Sequence, residues 1–151
     1  MVGMRIALAA DHAGYVLKDE HAAWLRDAGH DVTDLGTNGP ESVDYPAFGA
    51  RLAEEISSGA ADRGIAVCGS GIGISIAVNR KSACRCARVD DPLSARLARE
   101  HNDANVLALG GRLIGTDMAK ACVDAFIGTD FAGGRHQRRI DQLSTLLEES
   151  D

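Results

Sequence analysis

A chain of 151 residues, 45% hydrophobic and 25% charged, has the size and composition of one globular domain with a substantial core. Its net charge of −6 disfavours a general binder of nucleic acid or of anionic membranes, so any local basic cluster carries more weight. The longest charge-free stretch is too short and too rich in glycine to span a bilayer, and no apolar leader is visible near the N-terminus. The four cysteines (Cys68, Cys84, Cys86 and Cys122) form neither C-x-x-C nor a zinc-type set, so free thiols in a reducing cytoplasm are expected.

In chain order, Arg5 to Ala10 (R-I-A-L-A-A) reads as a short apolar strand with Asp11-His12-Ala13-Gly14 at its C-terminal end. Leu17, His21, Trp24 and Leu25 recur at helical spacing, and Gly29 stops that helix. Asp11 suits a helix N-cap as well as a site role. Asp31 to Leu35 is a second strand. After the turn-rich stretch from Gly36 to Tyr45, Pro46 fits the first position of a helix through Phe48, Leu52 and Ile56. Tyr45, at that loop–helix junction, suits capping and packing as well as contact with a ligand.

The central stretch is Gly64 to Asn79, G-I-A-V-C-G-S-G-I-G-I-S-I-A-V-N. The pattern predicts a buried strand ending at Cys68, a tight turn through Gly69, Gly71 and Gly73, and the start of a helix. Such a turn leaves backbone N–H groups unpaired, and these can hold an anion. Beside them Cys68 is either a base or nucleophile, or only a small core residue. A dinucleotide site is a further reading, with Asp90 on a ribose. However, the third glycine of G-x-G-x-x-G would fall on Ile74.

Ala83 to Val89 is expected to form a fourth strand, followed by a helix from Pro92 capped by Asp90 and Asp91. That helix ends at His101-Asn102-Asp103-Ala104-Asn105, a polar cluster that suits either a C-cap or a positioned acid/base. Val106 to Leu109 is a fifth strand ending at Gly110-Gly111-Arg112, and Thr116 opens a helix stopped by Gly128. The last helix runs from about Arg135 to Glu149 with Ile140, Leu143, Leu146 and Leu147 as its apolar stripe. Arg135 and Arg139 share a face at i, i+4, beside His136. Cations at a helix start oppose the dipole, a cost that an anionic ligand would offset, although a solvated basic turn has the same composition. Five strands alternating with helices predict a parallel, doubly wound sheet, whose ligands bind beyond the strand C-termini.

Four motifs occur in register: A-D-H-A-G, C-G-S-G-I-G-I-S-I-A-V-N, R-E-H-N-D-A-N-V-L-A-L-G-G-R and G-G-R-H-Q-R-R-I. Together they resemble the RpiB/LacAB family of sugar-phosphate isomerases, which includes the type B ribose-5-phosphate isomerases, over essentially the whole chain from Arg5 to about Leu147. The resemblance implies a single-domain, Rossmann-like three-layer α/β/α sandwich with a five-stranded parallel sheet. It also implies a homodimer or homotetramer with sites between subunits, the C-terminal helix reaching a partner. The implied activity is aldose–ketose isomerisation of a phosphorylated sugar, without metal, nucleotide or other cofactor.

Residue by residue, the resemblance makes Cys68 the base that moves a proton between C1 and C2, with Ser70 assisting exchange at the sugar oxygens. The N–H groups of Gly69, Ser70, Gly71, Ile72 and Gly73 become the oxyanion hole, and His101 the residue that opens the furanose ring. Asp11, His12, Tyr45 and Asn102 fall around the sugar, and Arg112, Arg135, His136 and Arg139 on the phosphate. Some relatives use a glutamate later in the Gly-rich stretch instead of the cysteine. Here Ile74 and Ser75 offer no carboxylate, which favours Cys68. Ribose 5-phosphate is the expected substrate; allose 6-phosphate, galactose 6-phosphate and tetrose phosphates are the alternatives. The competing class is a non-catalytic nucleotide- or phosphate-binding module.

Overall fold

The computed structural model describes residues 3–149, with side chains through Leu146. Five strands alternate with helices: β1 (Arg5–Ala10), α1 (Tyr15–Asp27), β2 (Asp31–Asp34), α2 (Tyr45–Ser57), β3 (Arg63–Cys68) and α3 (Ile72–Val78). They are followed by β4 (Cys86–Arg88), α4 (Pro92–Asn102), β5 (Val106–Gly110), α5 (Thr116–Gly128) and α6 (Arg135–Glu149). The inner strands β1, β3 and β5 are buried along nearly their whole length, as expected of strands covered on both faces.

All pairings are parallel, in the order β2-β1-β3-β5-β4. The chain winds outward from β1 to β2, then crosses to β3 on the other side of β1. The C-terminal ends of β1 and β3 therefore flank the switch point where such sheets open a crevice. Alternation along each strand separates two cores. On one face Leu8, Ile65 and Leu107 pack with Leu17 and Leu25 of α1, Ala98 of α4 and Phe126 of α5. On the other Ala9, Ala66 and Ala108 pack with Phe48 and Leu52 of α2 and Ile74 of α3. The result is the expected three-layer α/β/α sandwich. Among the described residues no helix is long and apolar enough to cross a membrane.

The fourth strand is shorter than expected. The Arg85 N–H is taken by the Asn105 side chain at 2.8 Å. Cys84 turns into the core, its Sγ donating to the Ala53 carbonyl at 3.5 Å. Regular pairing is left to Cys86–Arg88 at the sheet edge. Helix α6 buries Ile140 but leaves Leu143 and Leu146 half exposed or more. Leu147, placed on the same stripe by its spacing, lies outside the described side chains.

Two polar groups on α1 are buried. Lys18 is fully enclosed, and its Nζ donates to Asp19 at 2.6 Å, to both Asp34 oxygens at 2.7 and 2.8 Å, and to Asn38 at 2.9 Å. This knot ties α1 to β2 and to the loop after it. His21 is 1% exposed; its Nδ1–H donates to the Leu17 carbonyl at 2.9 Å, and its Nε2 has no partner among the described residues. Burial holds the His21 imidazole below the ordinary histidine range.

Replacing Lys18 with Met should cost about 3 kcal/mol of unfolding free energy in urea titration, because Asp34 and Asp19 lose their cation. The unfolded chain binds a proton at His21 more readily than the folded one. Stability should therefore be whole above about pH 6.5 and fall as pH drops below it. The acid-side slope of the urea midpoint should be shallower in His21→Gln than in the unsubstituted protein.

Candidate active site

Beyond the ends of β1 and β3 lies a cavity of about 360 Å³ lined by Asp11, Tyr45, Cys68, Gly69, Ser70, Gly73, Arg112 and Leu113. Most of the residues singled out in the first half of the sequence meet here. Cys68 closes β3 and lines the cavity, although the residue is only 4% exposed. The Gly71 N–H donates to Cys68 Sγ at 3.2 Å. Such a bond strengthens when the sulfur carries negative charge. The other three cysteines lie elsewhere. Burial pushes the thiols of Cys84, Cys86 and Cys122 up, that of Cys122 to about 11.

The Gly-rich turn is held by backbone bonds to the neighbouring loop. The Gly111 N–H donates to the Cys68 carbonyl at 2.8 Å and the Arg112 N–H to the Gly69 carbonyl at 3.0 Å. Arg88 Nε donates to the Ser70 carbonyl at 2.9 Å. Gly71 sits in the left-handed region at φ +76, and a Cβ there would stand 2.8 Å from the Leu109 carbonyl carbon. At Gly73 a Cβ would stand 2.6 Å from the Tyr45 ring, so this glycine makes room for the phenol at the cavity wall.

One expectation needs correcting: the turn is not a bare row of free amides. Gly71 N–H is spent on Cys68, and Ile72 N–H donates to Ser70 Oγ at 3.2 Å. The turn is tight enough for its own side chains to fold back onto those donors. Among the described residues, the N–H groups of Gly69, Ser70 and Gly73 meet no protein acceptor. Ser70 Oγ accepts from Ile72, which leaves its hydroxyl proton free to donate.

Asp11 is 7% exposed, and its Oδ1 accepts from Ala13 N–H at 2.9 Å and Gly14 N–H at 3.1 Å. The N-cap of α1 is Gly14, so Asp11 shapes the turn before the helix instead of capping it. His12 Nδ1 accepts from Val43 N–H at 3.1 Å, which fastens the loop before α2 beside the cavity and brings Tyr45 to its wall. The Arg112 side chain lies along Gly69, its Cδ and Nη1 each 3.5 Å from where a Cβ would stand. Leu113, which no motif or spacing singles out, completes the wall. Asp90, which a ribose-binding role would need, is paired to Arg88 at 2.5 Å instead.

The remaining candidates are at the other end of the sheet. Helices of a parallel α/β unit run opposite to its strands, so α4 ends where β3 and β5 begin. The Asn105 carbonyl just beyond α4 accepts the Gly64 N–H near the start of β3. His101 and Asn102 are therefore roughly 15–20 Å from Cys68, about the length of one strand. Of the polar cluster, Asp103 and Asn105 are absorbed by structure: Asp103 binds Arg99 and Arg85, and Asn105 binds the backbone of Ala83 and Arg85. His101 and Asn102 stay exposed. His101 stacks on His136 of α6 with ring centroids 4.4 Å apart and planes at 14°. Arg135 and Arg139 are exposed beside that stack. Partial burial, the neighbouring His101, and then Arg135 and Arg139, hold His136 below the ordinary histidine range. Asn102 also lines a second groove of about 490 Å³ between α6 and the β4 edge, with Cys86, Ile140, Leu143 and Leu146.

Comparison with known proteins agrees with this architecture. The model of the ribose/galactose isomerase family matches residues 6–143. The chain is 43% identical to ribose-5-phosphate isomerase B of Escherichia coli K12, over 94% of this chain and 95% of that protein. The structure of ribose-5-phosphate isomerase B from Clostridium thermocellum superposes with a TM-score of 0.97 at 47% identity, covering 98% of this chain and 100% of that one. The enzyme from Mycoplasma genitalium, solved with bound ribulose-5-phosphate, superposes at 0.93 with 36% identity and 99% of each chain covered. A matching sheet, a match to the family model across most of the chain, and a cysteine-lined crevice at the switch point lead to one assignment: this chain belongs to the ribose/galactose isomerase family.

Proposed function

We propose that this protein is an aldose–ketose isomerase that interconverts ribose 5-phosphate and ribulose 5-phosphate through an enediolate, at sites completed between two copies of the chain. The observation that carries the reading is Cys68 in the cavity wall, its Sγ hydrogen-bonded by Gly71 N–H and the turn beside it keeping free main-chain amides. The relatives named ribose-5-phosphate isomerase B support the substrate.

A C–H next to a carbonyl is weakly acidic, so its removal needs a placed base and immediate stabilisation of the oxyanion. In this reading the Cys68 thiolate takes the C2 proton of the open-chain aldose. The electron pair moves into the C1–C2 bond, and the carbonyl oxygen O1 becomes the anion. The amides of Gly69, Ser70 and Gly73 meet that charge, with Gly71 and Ile72 shaping the turn from behind. Ser70 relays the hydroxyl proton from O2 to O1, and Cys68 returns its proton to C1, giving the ketose. Asp11, His12 and Tyr45 orient the sugar hydroxyls.

Cyclic ribose 5-phosphate exposes no carbonyl, so ring opening needs a further acid/base. His101, with Asn102, is the candidate, and Arg135, His136 and Arg139 with Arg112 are the candidates for the phosphate. Arg112 is at the cavity, whereas the others are a strand length away within one chain. A two-fold pair of chains can bring the far edge of one to the cavity of the other. The exposed Leu143 and Leu146, along the groove under α6, give such a pair apolar surface to bury. The four free cysteines accord with a reducing cytoplasm.

Cys68→Ala should lower kcat by about 10²–10⁴ and abolish exchange of the substrate C–H with solvent deuterium, both followed by NMR. Full turnover in both Cys68→Ala and Cys68→Ser would end the assignment of the base. Arg135→Ala and Arg139→Ala should raise KM for ribose 5-phosphate about tenfold or more with a smaller change in kcat. Sedimentation should show a dimer or larger assembly at micromolar concentration; a monomer with full activity would remove the shared site.

A further inference from the structure

We propose that Arg99 is a positioning residue for the isomerisation: its buried guanidinium locks the end of α4, which carries His101 and Asn102, to the segment that leads into α6, which carries Arg135, His136 and Arg139. The inference rests on the reading of His101 and His136 as site residues.

Arg99 is 2% exposed, unusual for a residue one turn from a helix end. Its Nε and Nη1 donors go to fixed acceptors. Nε donates to the Thr129 carbonyl at 3.1 Å, and Nη1 donates to Asp103 Oδ1 and to the Ala104 carbonyl, both at 2.8 Å. Those acceptors belong to two separate pieces of chain, the Asp103–Ala104 step after α4 and Thr129 after α5. Asp103 is the C-cap of α4 and sits in the left-handed region at φ 46, its carboxylate held between Arg99 and Arg85. Ala104 leads into β5. Thr129 is the C-cap of α5, and residues 130–134 alone separate it from the start of α6.

The guanidinium thus sets where α4 stops and where the approach to α6 starts. A backbone bond from Ala132 N–H to the Glu100 carbonyl, at 3.1 Å, runs beside it. The His101–His136 stack bridges these two ends, so its 4.4 Å spacing depends on both being held. A lysine would keep the charge but not the planar fork that reaches three acceptors at once.

The test compares Arg99→Lys and Arg99→Gln with the unsubstituted protein. In the absence of substrate, the imidazole signals of His136 are titrated by NMR. The groups facing that ring are His101 and Glu100 from α4 and Arg135 and Arg139 from α6. Release of the stack removes the His101 contribution, so the His136 midpoint should rise towards the ordinary histidine value. With ribose 5-phosphate, kcat/KM per folded molecule should drop at least tenfold, with KM raised and kcat lowered together.

Variants that lose thermal stability but keep the His136 midpoint and both kinetic constants would show a brace with no bearing on the site, and would overturn the proposal. Should both Arg99 variants fail to fold, Asp103→Asn keeps an acceptor for Arg99 but removes the charge that fixes it. It should shift the same midpoint in the same direction, and an unchanged midpoint there would overturn the proposal. Absence of isomerase activity in the unsubstituted protein would instead defeat the functional reading, while the substrate-free titration still decides whether Arg99 holds the stack.

Discussion

In a parallel sheet every strand ends on the same edge, and every crossover helix runs the other way. That constraint sorts the polar residues of this chain into two groups. Those that follow β1, β3 and β5, namely Asp11, the turn from Cys68 to Gly73, and Arg112, gather around one cavity at the switch point between β1 and β3. Those that close α4 or open α6, namely His101, Asn102, Arg135, His136 and Arg139, collect at the opposite edge. No side chain is long enough to cancel a separation set by a whole strand. Under the proposed function a second copy of the chain would unite the two groups, and a two-fold pair would do so reciprocally.

Each edge is fastened by a buried cation. Lys18 gathers Asp19, Asp34 and Asn38 and so fixes the loop that His12 then clasps at Val43, with Tyr45 at its end. Arg99 gathers Asp103, Ala104 and Thr129 beneath the His101–His136 stack. Neither charge faces the cavity. A buried ion pair is a poor source of stability compared with apolar packing, but an unpaired member is costly, so each knot admits few alternative arrangements. The loops beside the cavity and the end of α4 beside the histidine stack are thereby held by groups that line neither.

Much of this was legible in the sequence. The alternation of short apolar runs with 3.6-residue periodicity gave the sandwich and nearly all of its boundaries, and Asp91 before Pro92 marked the start of α4 where its side chain indeed caps Ser94. Cys68 before three alternating glycines marked the turn. The fate of individual amides was not legible, because whether Gly71 N–H faces a ligand or a sulfur depends on a rotamer and not on a residue type. The fourth strand is shorter than its sequence suggests because Asn105, twenty residues away, takes the Arg85 N–H that a ladder would have used. The burial of Lys18 and Arg99 was not legible, since only tertiary contacts reveal that their charges are enclosed. Leu113 carried no signal at all.

The near-complete burial of Cys68 has a chemical consequence. Cys68 is 4% exposed and lines the cavity, so on the proposed reading a sugar resting there would also screen the thiol from peroxide and alkylating reagents. On that reading oxidation of the thiol would be fastest in the substrate-free protein, and an abundant supply of sugar phosphate would act as its own antioxidant.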